Sequence, residues 1–388
     1  MAIECGGGSV SSLSGKFFAL SGVPEASMDS RFGPAPQAPQ LWSRLCDTNC
    51  DRSLAFMVAH PSGNFLHHYL LEHLQRRGAA CFALNTRYVG NDTYLLMERA
   101  IQDVGAGVKF LRSEGFRRIV LVGNSGGGSL ASFYQAQAEN LTIDALPDGT
   151  PFELRAEDLP PADAIALLAA HPSRASVLTD YLDPSMTDED DISSLDPALD
   201  MFAPQNGPPY QSEWLSRYRA AQIARNERIT TAALSALQEL ESRSASGLPI
   251  SDMPLVIHRT GAEPRFLDVT IDPDDRSVQD RETARASNYA ANSMARMSSL
   301  RSWLSQWSLR MSRADGPACL SRTSVPVLIV RYSADGIVYS SHHDRWVRAA
   351  KGKASCCELK GARHFLRGQP DQQNELADRL VEWARALG

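Results

Sequence analysis

Three short, unbroken apolar runs constrain the fold most: residues 54–59 (LAFMVA), 79–84 (AACFAL) and 118–122 (RIVLV). A strand with one face in water alternates apolar and polar residues, so runs without alternation predict strands buried on both faces. Helical spacing fills the gaps. Residues 65–76 carry it first, and 93–113 repeat it with Leu96, Ala100, Val104, Val108 and Leu111 on one side. Buried strands alternating with helices predict an α/β protein with a mostly parallel central sheet flanked by helices. A fourth run, residues 164–170 (AIALLAA), continues the rhythm, which then stops until residues 325–330 (VPVLIV) and 354–359; an amphipathic helix over 372–387 closes the chain. Residues 16–20 and 40–46 are further strand candidates ahead of the main series. The predicted organisation is a flexible Gly/Ser-rich tail at 1–14, a core in two blocks at 15–171 and 324–388, and a large, mainly helical insertion at 172–323.

Composition removes several function classes. The 388 residues hold 39 Lys+Arg against 45 Asp+Glu, a formal net charge of -6 with no dense basic face, which argues against a nucleic-acid partner. No apolar run approaches the ~20 residues that span a bilayer, so no membrane role is expected. The opening MAIECGGGSV has no basic segment followed by an apolar one and predicts no secretory signal. Seven cysteines are too few and odd in number for a disulfide scaffold, which favours a reducing cytoplasm. Cys46 and Cys50 lack a second ligand pair, and His67, His68 and His73 lack a completing carboxylate. Neither a metal nor an organic cofactor is expected.

The chemistry is predicted at strand ends. Gly123-Asn124-Ser125-Gly126-Gly127 follows a buried strand and opens a helix, the setting in which a G-x-S-x-G turn lifts a serine Oγ above the sheet. A phosphate-binding loop would need a lysine after the glycines, and a dinucleotide loop a glycine in place of Asn124 or Ser125; neither is present. A serine hydroxyl needs a base and a group to orient that base. Asp335 lies in the loop after the strand at 325–330, and His364 in the loop after 354–359. His342 and His343 follow Asp335 on the next helix and are expected at the surface. Asp180, after the fourth run, is a fallback acid.

The elbow at 123–127, the Asp335 loop and the Gly361-Ala362-Arg363-His364 loop resemble those of the α/β-hydrolase superfamily, over roughly residues 50–171 and 324–388. The resemblance implies an α/β-hydrolase fold with 172–323 as an oversized cap. It also implies a Ser125–His364–Asp335 triad, with Gly126 as one oxyanion donor and a second from the loop after the first core strand. That loop reads His60-Pro61-Ser62-Gly63-Asn64; Pro61 has no N–H, which leaves Ser62 ahead of Gly63. His60 and His171 each begin a His-Pro-Ser segment at a strand end, and both segments should rim one pocket. Gly63, Arg87 and Trp303 complete the candidate substrate contacts, although Arg87 also suits an ion pair and Trp303, spaced helically with Trp307, suits the interior of the cap. The implied activity is hydrolysis of a carboxylic ester or lactone of a small, apolar or aromatic molecule through an acyl-enzyme. Alternatives are a carbon–carbon bond hydrolase of ring-fission diketones, an amidase or acyltransferase, and a non-catalytic binding protein. A homodimer is compatible with the sequence.

Overall fold

The computed structural model describes residues 15–24, 38–245, 247 and 251–387; the tail predicted at 1–14 lies outside the described residues. In chain order its main elements are β1 (Lys16–Ser21), β2 (Gln40–Cys46), β3 (Leu54–His60), α1 (Leu70–Gln75), β4 (Ala80–Asn85), α2 (Met97–Ser113), β5 (Arg118–Ser125) and α3 (Gly127–Glu139). There follow β6 (Ala164–Ala170), α4 (Arg174–Tyr181), α5 (Ser212–Ala245), β7 (Val327–Tyr332), α6 (Ser340–Ala349), β8 (Ala354–Leu359) and α7 (Pro370–Ala386).

The strands form one eight-stranded sheet in the order β1-β2-β4-β3-β5-β6-β7-β8. β2 alone runs opposite to the other seven strands. Successive residues of each central strand face opposite sides, and both sides are covered. Met57, Phe82 and Leu121 pack toward Ile101 and Val104 of α2 and Phe133 of α3. Phe56, Cys81 and Val120 pack toward Leu70 and Leu74 of α1 and Leu376 and Leu380 of α7. This is the α/β-hydrolase fold, and its double-sided cover explains why the strands read as continuous apolar runs. The strand order reverses at β3, with β4 on one side and β5 on the other. Such a reversal leaves a crevice beyond the carboxyl ends of the strands. His60 ends β3 and Ser125 ends β5, so both stand at its mouth.

Two details depart from expectation. The helix predicted over 65–76 is only α1, because side chains capture the backbone before it. Asn85 Oδ1 accepts from the Phe65 N–H at 3.0 Å and Asn64 Oδ1 from the Leu66 N–H at 3.2 Å. His342 is not a surface residue: it is buried, and its Nδ1 accepts from the Tyr339 N–H at 3.3 Å at the start of α6.

The chain between β6 and β7 has its own interior. α5, 34 residues long, lays Ile229, Leu237 and Leu240 against Trp303 and Leu304. A buried ion pair, Arg259 Nη2 to Asp183 Oδ2 at 2.7 Å, ties its loops together. Among the described residues no helix is long and apolar enough to cross a membrane.

Candidate active site

The turn from β5 into α3 is built by glycine. A Cβ on Gly123 would lie 2.6 Å from the Gly128 Cα, so neither end of the turn could close around a larger residue. Ser125 itself is held at φ +57°, a left-handed conformation that costs a non-glycine residue about 1 kcal/mol. The strain is upheld by what surrounds it. Asn124 donates from Nδ2 to the Leu168 carbonyl at 2.8 Å, while its Oδ1 accepts from His68 Nε2 at 3.1 Å. Of the closely spaced His67, His68 and His73, His68 braces the turn, and His73 instead meets Asn374 at 3.0 Å.

Residues from three separate strand ends then converge. The Ser125 hydroxyl faces His364 Nε2 at 2.9 Å, and His364 Nδ1 faces Asp335 Oδ2 at 2.6 Å. The other oxygen, Asp335 Oδ1, accepts from the backbone N–H groups of Ile337 at 2.8 Å and Val338 at 3.0 Å. With those bonds the carboxylate has one oxygen fixed and one left for the imidazole. All three side chains are buried. Asp180, the fallback acid, stands elsewhere: its Oδ2 accepts from Arg265 Nη2 at 2.6 Å.

A cavity of about 290 Å³ opens over Ser125. His60, Ser62, Gly126 and His171 line it from the sheet side, so both His-Pro-Ser segments reach it. Arg174, Met294 and Trp307 line it from the chain that follows β6, with Asp92 at the edge. Three of the candidate contacts have partners within the chain. The Ser62 N–H donates to His60 Nδ1 at 3.1 Å and the Gly63 N–H to the same atom at 2.7 Å, so the loop's own imidazole occupies the donors expected to serve an oxyanion or a substrate. Arg87 is folded onto Asp103, Nη2 to Oδ1 at 2.7 Å, with both side chains almost wholly buried. Trp303 is fully buried and donates from Nε1 to Thr230 Oγ1 at 3.0 Å; Trp307, its partner in the helical spacing, takes the cavity wall. Arg174 lines the cavity without a sequence signal of its own beyond following the His171-Pro172-Ser173 segment directly.

His60 has a defined tautomer. Two N–H groups point at Nδ1, so Nδ1 accepts and, in the neutral ring, Nε2 carries the hydrogen. A Cβ added to Gly126 would lie 2.8 Å from His60 Nε2, which sets that N–H beside the residue following Ser125. Burial pushes His60 down to about 3, with the Arg174 charge adding to the effect, and burial pushes His68 down to about 4. His171 and His342 are shifted down by burial as well. His60, His68, His171 and His342 are therefore uncharged near neutrality.

This burial has a measurable consequence. An unfolded imidazole takes up its proton near pH 6.5, whereas folded His60 and His68 do so only near 3 and 4. Between those limits the unfolded chain binds more protons, so the stabilisation is full above pH 6.5 and declines as pH falls. Lowering the pH from 7.5 to 5.5 is expected to cost about 3 kcal/mol from these two rings, read as a lower urea midpoint at constant slope. An unchanged midpoint would mean that these rings take up protons freely in the folded protein.

No protein-family model matches the chain, and no curated protein sequence matches it. Among solved structures, the esterase domain of a Rhodothermus marinus protein aligns over 96% of this chain and 98% of that one, at 14% identity and a TM-score of 0.45. A monoacylglycerol lipase from Paleococcus ferrophilus aligns over 89% and 98%, at 12% identity and a TM-score of 0.44. Est1E from Butyrivibrio proteoclasticus aligns over 89% and 95%, at 14% identity and a TM-score of 0.43. At this identity nothing about reaction or substrate passes from those proteins to this chain.

Proposed function

We propose that the protein is a serine hydrolase that cleaves a small carboxylic ester or lactone through an acyl-enzyme. The observation that carries the reading is the continuous Ser125–His364–Asp335 hydrogen-bond chain, at 2.9 and 2.6 Å, opening on one cavity. Ser125 Oγ attacks the carbonyl carbon while His364 Nε2 takes its proton, and Asp335 holds the ring so that Nε2 is the free base. The tetrahedral oxyanion meets the Gly126 N–H, which as the N-cap of α3 has no intrahelical acceptor, together with the positive end of that helix. The second donor in this reading is His60 Nε2–H, in place of Ser62. Collapse of the intermediate breaks the bond to the leaving oxygen, which receives the proton from His364. Water then repeats the sequence on the acyl group and frees Ser125. An ester or lactone suits this machinery because its leaving group needs little help beyond one proton.

A panel of 4-nitrophenyl esters of increasing acyl length, lactones, anilides and vinylogous diketones tests the reading, with a fluorophosphonate label in parallel. Ester or lactone turnover with a label on Ser125 is expected. Turnover of diketones alone would replace ester chemistry with carbon–carbon cleavage, and a folded protein that neither turns over nor labels would be a binding protein.

A further inference from the structure

Among the described residues lining the cavity, Arg174 alone carries a fixed positive charge. Its side chain is 10% exposed, and its Cζ lies 4.1 Å from the centroid of the Trp307 ring, which fixes the plane of the guanidinium. A guanidinium has five N–H donors. Here Nη2 donates to Asp92 Oδ2, and Asp92 is the one hydrogen-bonding partner of Arg174 among the described residues. Buried Nε has no partner. Trp307 Nε1, a second buried donor on the same wall, is also unpartnered, as is His171 Nδ1 on the sheet side.

Buried N–H donors without partners are uncommon, and two of them, Arg174 Nε and Trp307 Nε1, on residues lining one wall point to an acceptor that the chain itself does not supply. That acceptor should be anionic. His60 and His171 are uncharged and add no positive charge, while Asp92, at 34% exposure, shares its charge with solvent and neutralises Arg174 only in part. A carboxylate placed along the open edge of the guanidinium would take the unused donors and leave the Asp92 bond in place. The apolar remainder of the wall, Val177 and Met294, suits a short methylene chain between that carboxylate and the carbonyl at Ser125.

We propose that the acyl part of the substrate ends in a free carboxylate bound by Arg174 against Trp307, so that the enzyme cleaves half-esters of short dicarboxylic acids. The proposal rests on the hydrolase reading for Ser125 but can fail separately from it. The test compares kcat/KM for 4-nitrophenyl hydrogen glutarate with that for 4-nitrophenyl pentanoate, whose acyl chains have the same number of carbons. The wild-type ratio is expected to be at least ~30, as for a buried charge pair, and to fall below ~3 in Arg174→Gln. Arg174→Lys, which keeps the charge without the planar fork, should give an intermediate ratio and covers the case in which the glutamine variant does not fold. A wild-type ratio near one, or one that survives Arg174→Gln, overturns the proposal. Glutarate binding to Ser125→Ala by calorimetry decides the matter without turnover: saturable binding lost on adding Arg174→Gln supports it, and absence of binding sinks it. If no ester is cleaved and Ser125 resists fluorophosphonate, the hydrolase reading falls, and the glutarate titration still decides whether Arg174 holds a carboxylate.

Discussion

Ser125→Ala is expected to lower kcat by at least ~10⁴-fold on any ester the wild type cleaves, with KM changed by less than ~5-fold. The size follows from covalent chemistry. With no Oγ, His364 has no proton to take and no acyl-enzyme forms, so only activation of water by the remaining site is left. Substrate contacts lie on other side chains, which is why binding should survive. Single-turnover kinetics and intact mass check both halves: the wild type should show an acyl adduct, and the variant none. A second variant makes the result specific. Asp335→Asn should cause a loss of similar order, because an amide on the Asp335 side cannot hold Nδ1–H and leave Nε2 free as a base. Residual activity in Ser125→Ala within ~10-fold of wild type would move the nucleophile elsewhere and remove the hydrolase reading with it.

What the sequence exposes and what it hides divide along physical lines. The strands of the central sheet are legible because each is buried on both faces, and burial on both faces writes a continuous apolar run such as 118–122. The glycines around Ser125 are legible because backbone atoms approach there more closely than any side chain allows. Asp335 and His364 can be picked out because each follows a recognisable strand. Contacts between side chains distant in sequence leave no such trace. Arg87 suits an ion pair as well as a substrate in the sequence, and only the fold shows that Asp103, on α2, is the group buried against it. Trp303 and Trp307 share one helical spacing, and only the placement of α5 decides that the first faces Thr230 and the second the cavity. His342 sits in a segment that reads as a surface helix, yet it is buried, with the rings of Tyr339 and His171 5.3 and 6.2 Å away by centroids. The His60 loop shows the subtlest case. The sequence points to a backbone donor because Pro61 removes one candidate, but it cannot show that the imidazole folds back and takes the remaining two.

That folded-back imidazole gives the second large expected effect. His60→Phe should lower kcat by ~10²–10³-fold, the usual cost of removing one oxyanion donor, with little change in KM because the donor acts on charge that develops only in the transition state. Phenylalanine keeps the ring against Phe65, which lies 5.1 Å away by ring centroids, but offers neither the Nε2 hydrogen nor the Nδ1 acceptor. Its effect therefore mixes a lost donor with two backbone N–H groups left without an acceptor. His60→Gln separates the two, because its oxygen can accept from Ser62 and Gly63 while its amide nitrogen donates toward the site. Recovery of at least ~10-fold in kcat by glutamine is expected, together with a urea midpoint closer to that of the wild type. The pH profile adds a readout that packing alone would not move. With its proton uptake pushed to about 3, His60 stays a neutral donor across the assay range, so the limbs of the kcat profile should keep their positions in both variants. A shifted limb would make His60 an acid or base in the reaction, and a loss below ~5-fold in His60→Phe would return the second oxyanion contact to the backbone of the loop.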